Sequence, residues 1–173
     1  MMKRTLVIYY SRKGQNYVGG KIVNLKKGNT SYVAEFIKEA AGADLFEVRT
    51  VKQYSADYTA CTKEARAELK NKARPELTEY IGSIAQYQNI VVAGPCWWGT
   101  FPCAIMSQLE RLDFKNKKVF AVMTHEGSGL GSSERTLKDL CQGAEIGEGL
   151  AVPGSSAADS FALVAQWAQR NLG

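Results

Sequence analysis

Four short runs of aliphatic, β-branched and aromatic residues recur along the chain: TLVIYY at 5–10, DLFEVR at 44–49, NIVVAG at 89–94 and KVFAVMT at 118–124. Each is closed by turn residues and followed by a stretch whose apolar positions recur at helical spacing. These helical stretches are TSYVAEFIKEAAG from Thr30, ADYTACTKEARAELKNKA from Ala56, PCAIMSQLERL from Pro102 and SSERTLKDLC from Ser132, and a last one, SAADSFALVAQWAQRNL, closes the chain. A fifth, weaker strand is expected around AEIGEGLAV at 144–152, and the stretch 70–88 reads as a helix end, a break at Pro75 and another short helix. Strands that alternate with helices imply βαβ units, hence a parallel sheet whose central strands are apolar on both faces. The count fits a five-stranded doubly wound α/β domain. In such a sheet a ligand binds beyond the carboxyl ends of the strands where the strand order reverses. Function is therefore expected in the loops after the first, third and fourth strands.

The 173 residues suffice for one sizeable core, and no repeat or linker divides them, so a single domain over 1–173 is expected. With 45% hydrophobic and 23% charged residues and no low-complexity tract, the composition is that of a globular protein. The net charge of +5 is unevenly spread: Arg12, Lys13, Lys21, Lys26 and Lys27 fall in a segment without a single Asp or Glu. Such a segment suits a local anion or an acidic partner, the alternative being a solvated hairpin surface. Nucleic acid is not expected, since no array of stacking aromatics or reader motif accompanies the cations. Four scattered cysteines without a C-x-x-C pair and one histidine give no metal cluster and read as reduced thiols. The run Thr5 to Tyr10 is too short for a signal core or a membrane span, which predicts a cytoplasmic location and no membrane partner.

The first loop opens as Ser11-Arg12-Lys13-Gly14, but the Gly28-Asn29-Thr30-Ser31 that should start the next helix comes after thirteen intervening residues, Gln15 to Lys27. Thr30 or Ser31 is a good N-cap, Asn29 brings an amide and Gly28 removes steric cost. The backbone N–H groups here suit an anion at a helix N-terminus, or else simply begin an ordinary capped helix. Neither G-x-G-x-x-G nor G-x-x-x-x-G-K-[ST] is present, which argues against a dinucleotide fold or a nucleoside triphosphatase. The inserted NYVGGKIVNL alternates on either side of Gly19-Gly20 and reads as a β-hairpin mounted in the loop as a basic lid or docking tab.

In the second loop, PCWWGTFP, adjacent Trp97 and Trp98 point different ways, so one should face the crevice as a stacking surface while the other packs. In the third, THEGSGLGSSER, Gly127, Gly129 and Gly131 permit close approach of a ligand's polar edge, or leave a flexible loop capped by Ser132 or Ser133. His125 is placed to donate a hydrogen bond to a ligand or to tie the loop down, and Glu126 to orient its imidazole. An anion cradle, an aromatic wall and an amide-rich edge at one end of a sheet describe a site for a flat ring carrying a phosphate, and flavin mononucleotide (FMN) has that shape.

The segments YYSRKGQNY, GNTSYVAEFI, ADLFEV, ARPEL, WWGTFP and THEGSGLGSSE together resemble the flavodoxin family, in the branch whose phosphate loop carries a small insertion. The resemblance runs over nearly the full length. It implies a doubly wound five-stranded parallel sheet of order 2-1-3-4-5 with a β-hairpin in the first βα loop, and a non-covalently held FMN. On that resemblance the phosphate would lie among Ser11, Arg12, Lys13, Asn29, Thr30 and Ser31. The isoalloxazine would lie between Pro95, Cys96, Trp97, Trp98 and Gly99 on one side and Thr124, His125, Glu126, Gly127, Ser128 and Gly129 on the other. It further implies electron transfer with a redox partner protein or a small-molecule electron acceptor. Electron-transfer flavodoxins are typically acidic, whereas this chain has a net charge of +5. An FMN-dependent NAD(P)H:quinone-type oxidoreductase is the alternative, and a flavin-free interaction domain a further one. A signalling receiver on the same fold would need carboxylates at the ends of the first and third strands, where Tyr10-Ser11-Arg12 and Gly94-Pro95-Cys96 stand. A C-x₅-R phosphatase is excluded because neither Cys96 nor Cys61 has an Arg at that distance.

Overall fold

The computed structural model describes residues 4–173. Its strands are β1 (Thr5–Tyr9), β2 (Gly14–Val18), β3 (Lys21–Leu25), β4 (Asp44–Glu47), β5 (Asn89–Pro95), β6 (Lys118–His125), β7 (Glu145–Ile146) and β8 (Leu150–Pro153). Its α-helices are α1 (Asn29–Ala41), α2 (Tyr58–Lys70), α3 (Cys103–Leu109), α4 (Ser133–Leu140) and α5 (Phe161–Leu172), with a 3-10 turn at Gly154–Asp159 before α5. The main sheet runs β4-β1-β5-β6, with β7 and β8 both paired to the far edge of β6, and every pairing in it is parallel. This is the expected doubly wound sheet with its order reversing between β1 and β5.

Alternate residues of β1 serve opposite faces. Leu6 and Ile8 join a core with Ile90, Val92, Phe101, Ile105 and Met123, while Val7 and Tyr9 join one with Val33, Ile37, Val91, Val122 and Trp167. The second face is covered by α1 and α5. Burying both faces of β1, β5 and β6 explains their unbroken apolar runs. Local signals close the helices as expected: Gly42 ends α1 in the left-handed region (φ 66), and Asp57 caps α2 by accepting from the Ala60 amide at 2.9 Å.

The inserted hairpin is present as an antiparallel pair, Val18 opposite Lys21, joined by Gly19 and Gly20 with φ of 62° and 86°. Two positive φ values in a two-residue turn are what a primed hairpin turn requires and what glycine permits.

Two expectations are corrected. The fifth strand is split, because at Gly147 the backbone passes so flat over Phe120 that a Cβ would fall 2.3 Å from the ring. Glu148 then turns outward, its carbonyl accepting the Trp167 indole N–H at 2.9 Å. The short helix expected after Pro75 does not form: residues 71–88 cross the sheet as an irregular strap. Leu77, Ile84 and Tyr87 anchor it in the core. Its polar backbone finds partners outside itself: Val51 N donates to Glu76 O and Thr78 N to Arg49 O, both at 2.9 Å. The buried Gln108 of α3 both accepts from Ile81 N (2.8 Å) and donates to Ile81 O (3.0 Å). Burial of three widely spaced side chains, with ready partners for the backbone, outweighs helix propensity here.

Candidate functional site

The chain leaves β1 at its carboxyl end and reaches the start of α1 at Gly28, in extended conformation (φ −64°, ψ 149°), with no side chain of that segment capping the helix. The expectation that Thr30 or Ser31 would be the cap is corrected. The cap comes from across the loop, as the Ser31 amide donates to Ser11 Oγ at 3.0 Å. Gly28 is what allows this, since a Cβ there would lie 2.1 Å from Ser11 Oγ and 2.7 Å from the Arg12 carbonyl oxygen. Thr30 is buried instead, its hydroxyl 2.9 Å from that of Thr124 on β6, which ties the helix start to the fourth strand of the sheet. The two halves of the split loop therefore close on each other despite the insertion.

Arg12 turns out of that loop. Its guanidinium donates to the carbonyls of Gln15 (2.9 Å), Ser55 (2.9 Å) and Ala56 (3.2 Å), and Lys13 is exposed. Gln15 Oε1 accepts from Tyr58 N at 2.7 Å and Tyr17 stacks on Tyr58 with ring centroids 6.3 Å apart, so the hairpin is braced against the start of α2.

After β5, Cys96 N donates to Thr124 O at 2.9 Å, and Trp97 and Thr100 pair across a tight turn whose corners, Trp98 (φ 55°) and Gly99 (φ 88°), are both left-handed. Such a φ is costly for tryptophan and persists only where surroundings hold it. They do: Trp98 Nε1 donates to Thr62 O of α2 at 2.9 Å, and the Arg66 guanidinium stands 5.0 Å from its ring centre. Trp97 packs edge-on against Tyr10 (5.2 Å) and Tyr54 (5.1 Å) and belongs to the core periphery. The two tryptophans thus divide, one packing and one exposed.

Beyond β6, His125 Nδ1 accepts from Gly127 N at 2.9 Å, which in the neutral ring leaves the proton on Nε2 as a free donor. Glu126 does not orient the imidazole as expected. Its Oε2 accepts from Gly19 N at 3.0 Å, fixing the hairpin tip to this loop. Its other oxygen, with Asn29 Nδ2, crowds the place a Gly154 side chain would take, at 2.4 and 2.8 Å. Gly127 and Gly129 adopt φ of 127° and 59° with open space around them, and Ser128 is exposed. The second and third loops are spliced: Ser132 N donates to Gly99 O, and Gly131 approaches so closely that a Cβ would lie 2.3 Å from that oxygen. Neither Ser132 nor Ser133 caps α4 by its side chain, and Ser133 Oγ is buried without a hydrogen-bond partner among the described residues. Gly154 and the hairpin tip were not foreseen as members of this site. The turn signal Pro153-Gly154 was visible, but not its proximity to Asn29.

Burial governs titration near the site. It raises the Tyr10 and Tyr54 hydroxyls well above the ordinary tyrosine range and pushes the Cys103 thiol up to about 11. Tyr54 donates to Glu68 at 2.5 Å. These groups are inert near neutral pH. Among the described residues no three His, Cys, Asp or Glu side chains are placed to hold a metal ion, and no helix is long and apolar enough to cross a membrane.

An all-parallel, doubly wound sheet with its polar loops gathered over the β1–β5 switch defines a protein of flavodoxin-like fold. The chain belongs to the flavodoxin family, whose model, described as "Flavodoxin", matches residues 21–171. No curated protein matches it. Among solved structures it is similar to a "Putative flavoprotein" from Bacteroides uniformis, at 27% identity, TM-score 0.75, covering 98% of this chain and 99% of that one. It is also similar in fold to a flavoprotein in complex with FMN from Lactobacillus acidophilus, at 20% identity, TM-score 0.65, covering 92% and 99%. A third, a "Putative quinone reductase" from Klebsiella pneumoniae, shares 11% identity at TM-score 0.54, covering 98% and 84%.

Proposed function

We propose that residues 1–173 form one FMN-binding domain that acts in electron transfer in the cytoplasm, with a redox partner protein or a small-molecule acceptor. The observation that carries this reading is the start of α1. It lacks a side-chain cap of its own, it is wedged through Gly28 against Ser11 and Arg12, and its Thr30 hydroxyl reaches Thr124 near the end of β6. A helix N-terminus with tightly gathered backbone amides and a serine hydroxyl suits a phosphate. The small residues and left-handed glycines beyond β5 and β6 suit the edge of a flat ring. The buried, unpartnered Ser133 hydroxyl is a further polar group at that end of the molecule.

In this reading Ser11, Asn29, Thr30 and Ser31 hold the phosphate with backbone and hydroxyl groups, and Lys13 adds positive potential. Arg12 contributes its backbone, its guanidinium being engaged by carbonyls. Pro95, Cys96, Trp97, Trp98 and Gly99 line one side of the ring, with Trp98 as the exposed aromatic and Trp97 supporting it from the core. Thr124, His125, Glu126, Gly127, Ser128 and Gly129 line the other, with His125 Nε2–H free to donate to a ring oxygen. When bound, FMN supplies the electron-accepting and electron-donating chemistry, while the protein sets its orientation and surroundings.

The visible absorption spectrum of the purified protein, taken before and after addition of FMN and removal of excess, tests the reading. Flavin bands that remain with the protein, together with an FMN mass for the released ligand, are expected. A colourless protein that fails to retain added FMN would refute it. The second reading is an NAD(P)H:quinone-type oxidoreductase, in which the His125 Nε2–H would meet a substrate. Oxidation of NAD(P)H with quinone acceptors by the FMN-loaded protein separates the two.

A further inference from the structure

A groove of about 1100 Å³ lies between the inserted hairpin and the segment that follows β4. Five cations line it, Arg12, Lys13, Lys26, Lys27 and Arg49, against one carboxylate, Glu47. It adjoins the crevice discussed above and continues from the split loop toward β4. The groove borders the carboxyl ends of β1 and β4, whereas the crevice lies over β1, β5 and β6, and the two share Ser11, Arg12, Lys13, Gly28 and Ser31 of the split loop.

Its positive charge is only partly cancelled. Arg12 is fixed by three neutral carbonyls, which set its geometry and leave its charge intact. Arg49 pairs with Glu47 at 2.9 Å through exposed side chains, and Lys27 pairs with Glu35 while standing 4.5 Å from the centre of the Tyr32 ring. Lys13 and Lys26 have no ion-pair partner among the described residues. The walls are braced, because the hairpin is held to α2 through Gln15 and Tyr17 and to the β6 loop through Gly19.

We infer that this groove, beyond the loop it shares with the crevice, takes an extended acidic segment of a partner protein. The cations come from three separate segments, the β1 end, the hairpin exit and the β4 end, and five of them exceed the charge that a single phosphate carries. Repeated carboxylates on an extended chain complement such a row of cations, and charge complementarity of this kind speeds encounter and fixes register. The inference does not depend on FMN in the neighbouring crevice.

The test is fluorescence anisotropy of a labelled peptide of alternating Glu and Asp, titrated with the full-length protein with and without FMN, at low and at physiological ionic strength. Binding that weakens with salt is expected. The double variant Lys26→Glu/Arg49→Glu, which spares the loop assigned to the phosphate, should weaken it roughly ten-fold, and Lys26→Glu, which breaks no ion pair, roughly three-fold. The control Lys115→Glu/Lys138→Glu makes the same change in net charge at other exposed lysines and should stay within about two-fold of wild type. Absence of binding, or equal losses in the groove and control variants, would overturn the site. Displacement of the peptide by a small excess of inorganic tripolyphosphate would overturn the acidic segment as occupant. FMN retention is read in the same samples: peptide binding without FMN retention refutes the flavin reading alone, and FMN retention without peptide binding refutes the groove alone.

Discussion

Gly28→Ala isolates the contact on which the split loop depends. The backbone conformation there, φ −64° and ψ 149°, is open to alanine, so any effect is steric. The new Cβ would stand 2.1 Å from Ser11 Oγ, 2.7 Å from Arg12 O and 2.9 Å from Arg12 C. Ordinary contact needs about 3.5 Å. Rotating Ser11 away relieves the first clash but gives up its bond to Ser31 N, a loss of about 1 kcal/mol. The Arg12 backbone cannot rotate away, and overpacking of this kind costs about 1–3 kcal/mol. The stiffer unfolded chain returns about 0.4–1 kcal/mol. The net destabilisation is about 2 kcal/mol, or about 4–8 °C in Tm for a chain of this length. Displaced donors to a charged phosphate would weaken FMN binding by roughly ten- to a hundred-fold. Thermal denaturation and fluorescence titration with FMN measure both effects. Gly82→Ala, at a glycine with nothing within 4 Å of its Cβ position, is the matched control. If Gly28→Ala and Gly82→Ala have equal melting temperatures and equal FMN affinities, the packed-loop argument is wrong.

Trp97→Ala should destabilise the protein by about 3 kcal/mol in urea unfolding, because it removes the ring that joins Tyr10 and Tyr54, whereas Trp98→Ala should cost under about 1 kcal/mol and act on ligand binding. Equal losses of stability would contradict the division of the two rings. Cys61, Cys103 and Cys141 are buried and Cys96 is partly exposed, so brief alkylation at mild pH read by mass spectrometry should modify Cys96 alone, and FMN should slow it. Labelling unaffected by FMN would remove Cys96 from the flavin's surroundings. Burial raises the Glu68 carboxyl above its usual 4.5, with the Tyr54 hydroxyl opposing. The folded state therefore holds that proton more tightly than the unfolded one, and the stability this contributes is full below the unfolded value and lost as pH rises through the folded one. Glu68→Gln should flatten the urea midpoint across that window, and an unaltered pH profile would discount the group.

The alternation of apolar runs with helical spacing sufficed for the sheet, its direction and its switch point, because two-sided burial leaves a signature in every central strand. The hairpin was legible for a local reason: two adjacent glycines between alternating arms leave little choice of turn. What escaped the sequence was set by contacts distant along the chain. Residues 76–88 look helical in composition, yet Gln108, some thirty residues on, takes both the N–H and the carbonyl of Ile81, which a helix would have paired within itself. Ser11 caps α1 from twenty residues away, so the good local caps Thr30 and Ser31 were misassigned. The three loops of the candidate site were found by composition and position. The direction of Arg12 and the bond from Glu126 to the hairpin tip were not, because nothing local to either residue encodes its partner.

The strap across the sheet bears on how the molecule comes apart. A helix in its place would carry its own ladder of hydrogen bonds and would survive a brief loosening of its neighbours. The strap borrows its backbone bonds from Gln108 and from residues 49–51, and its grip on the core from three side chains. Its amides should therefore exchange with solvent before those of β1, β5 and β6, and hydrogen exchange read by mass spectrometry checks this.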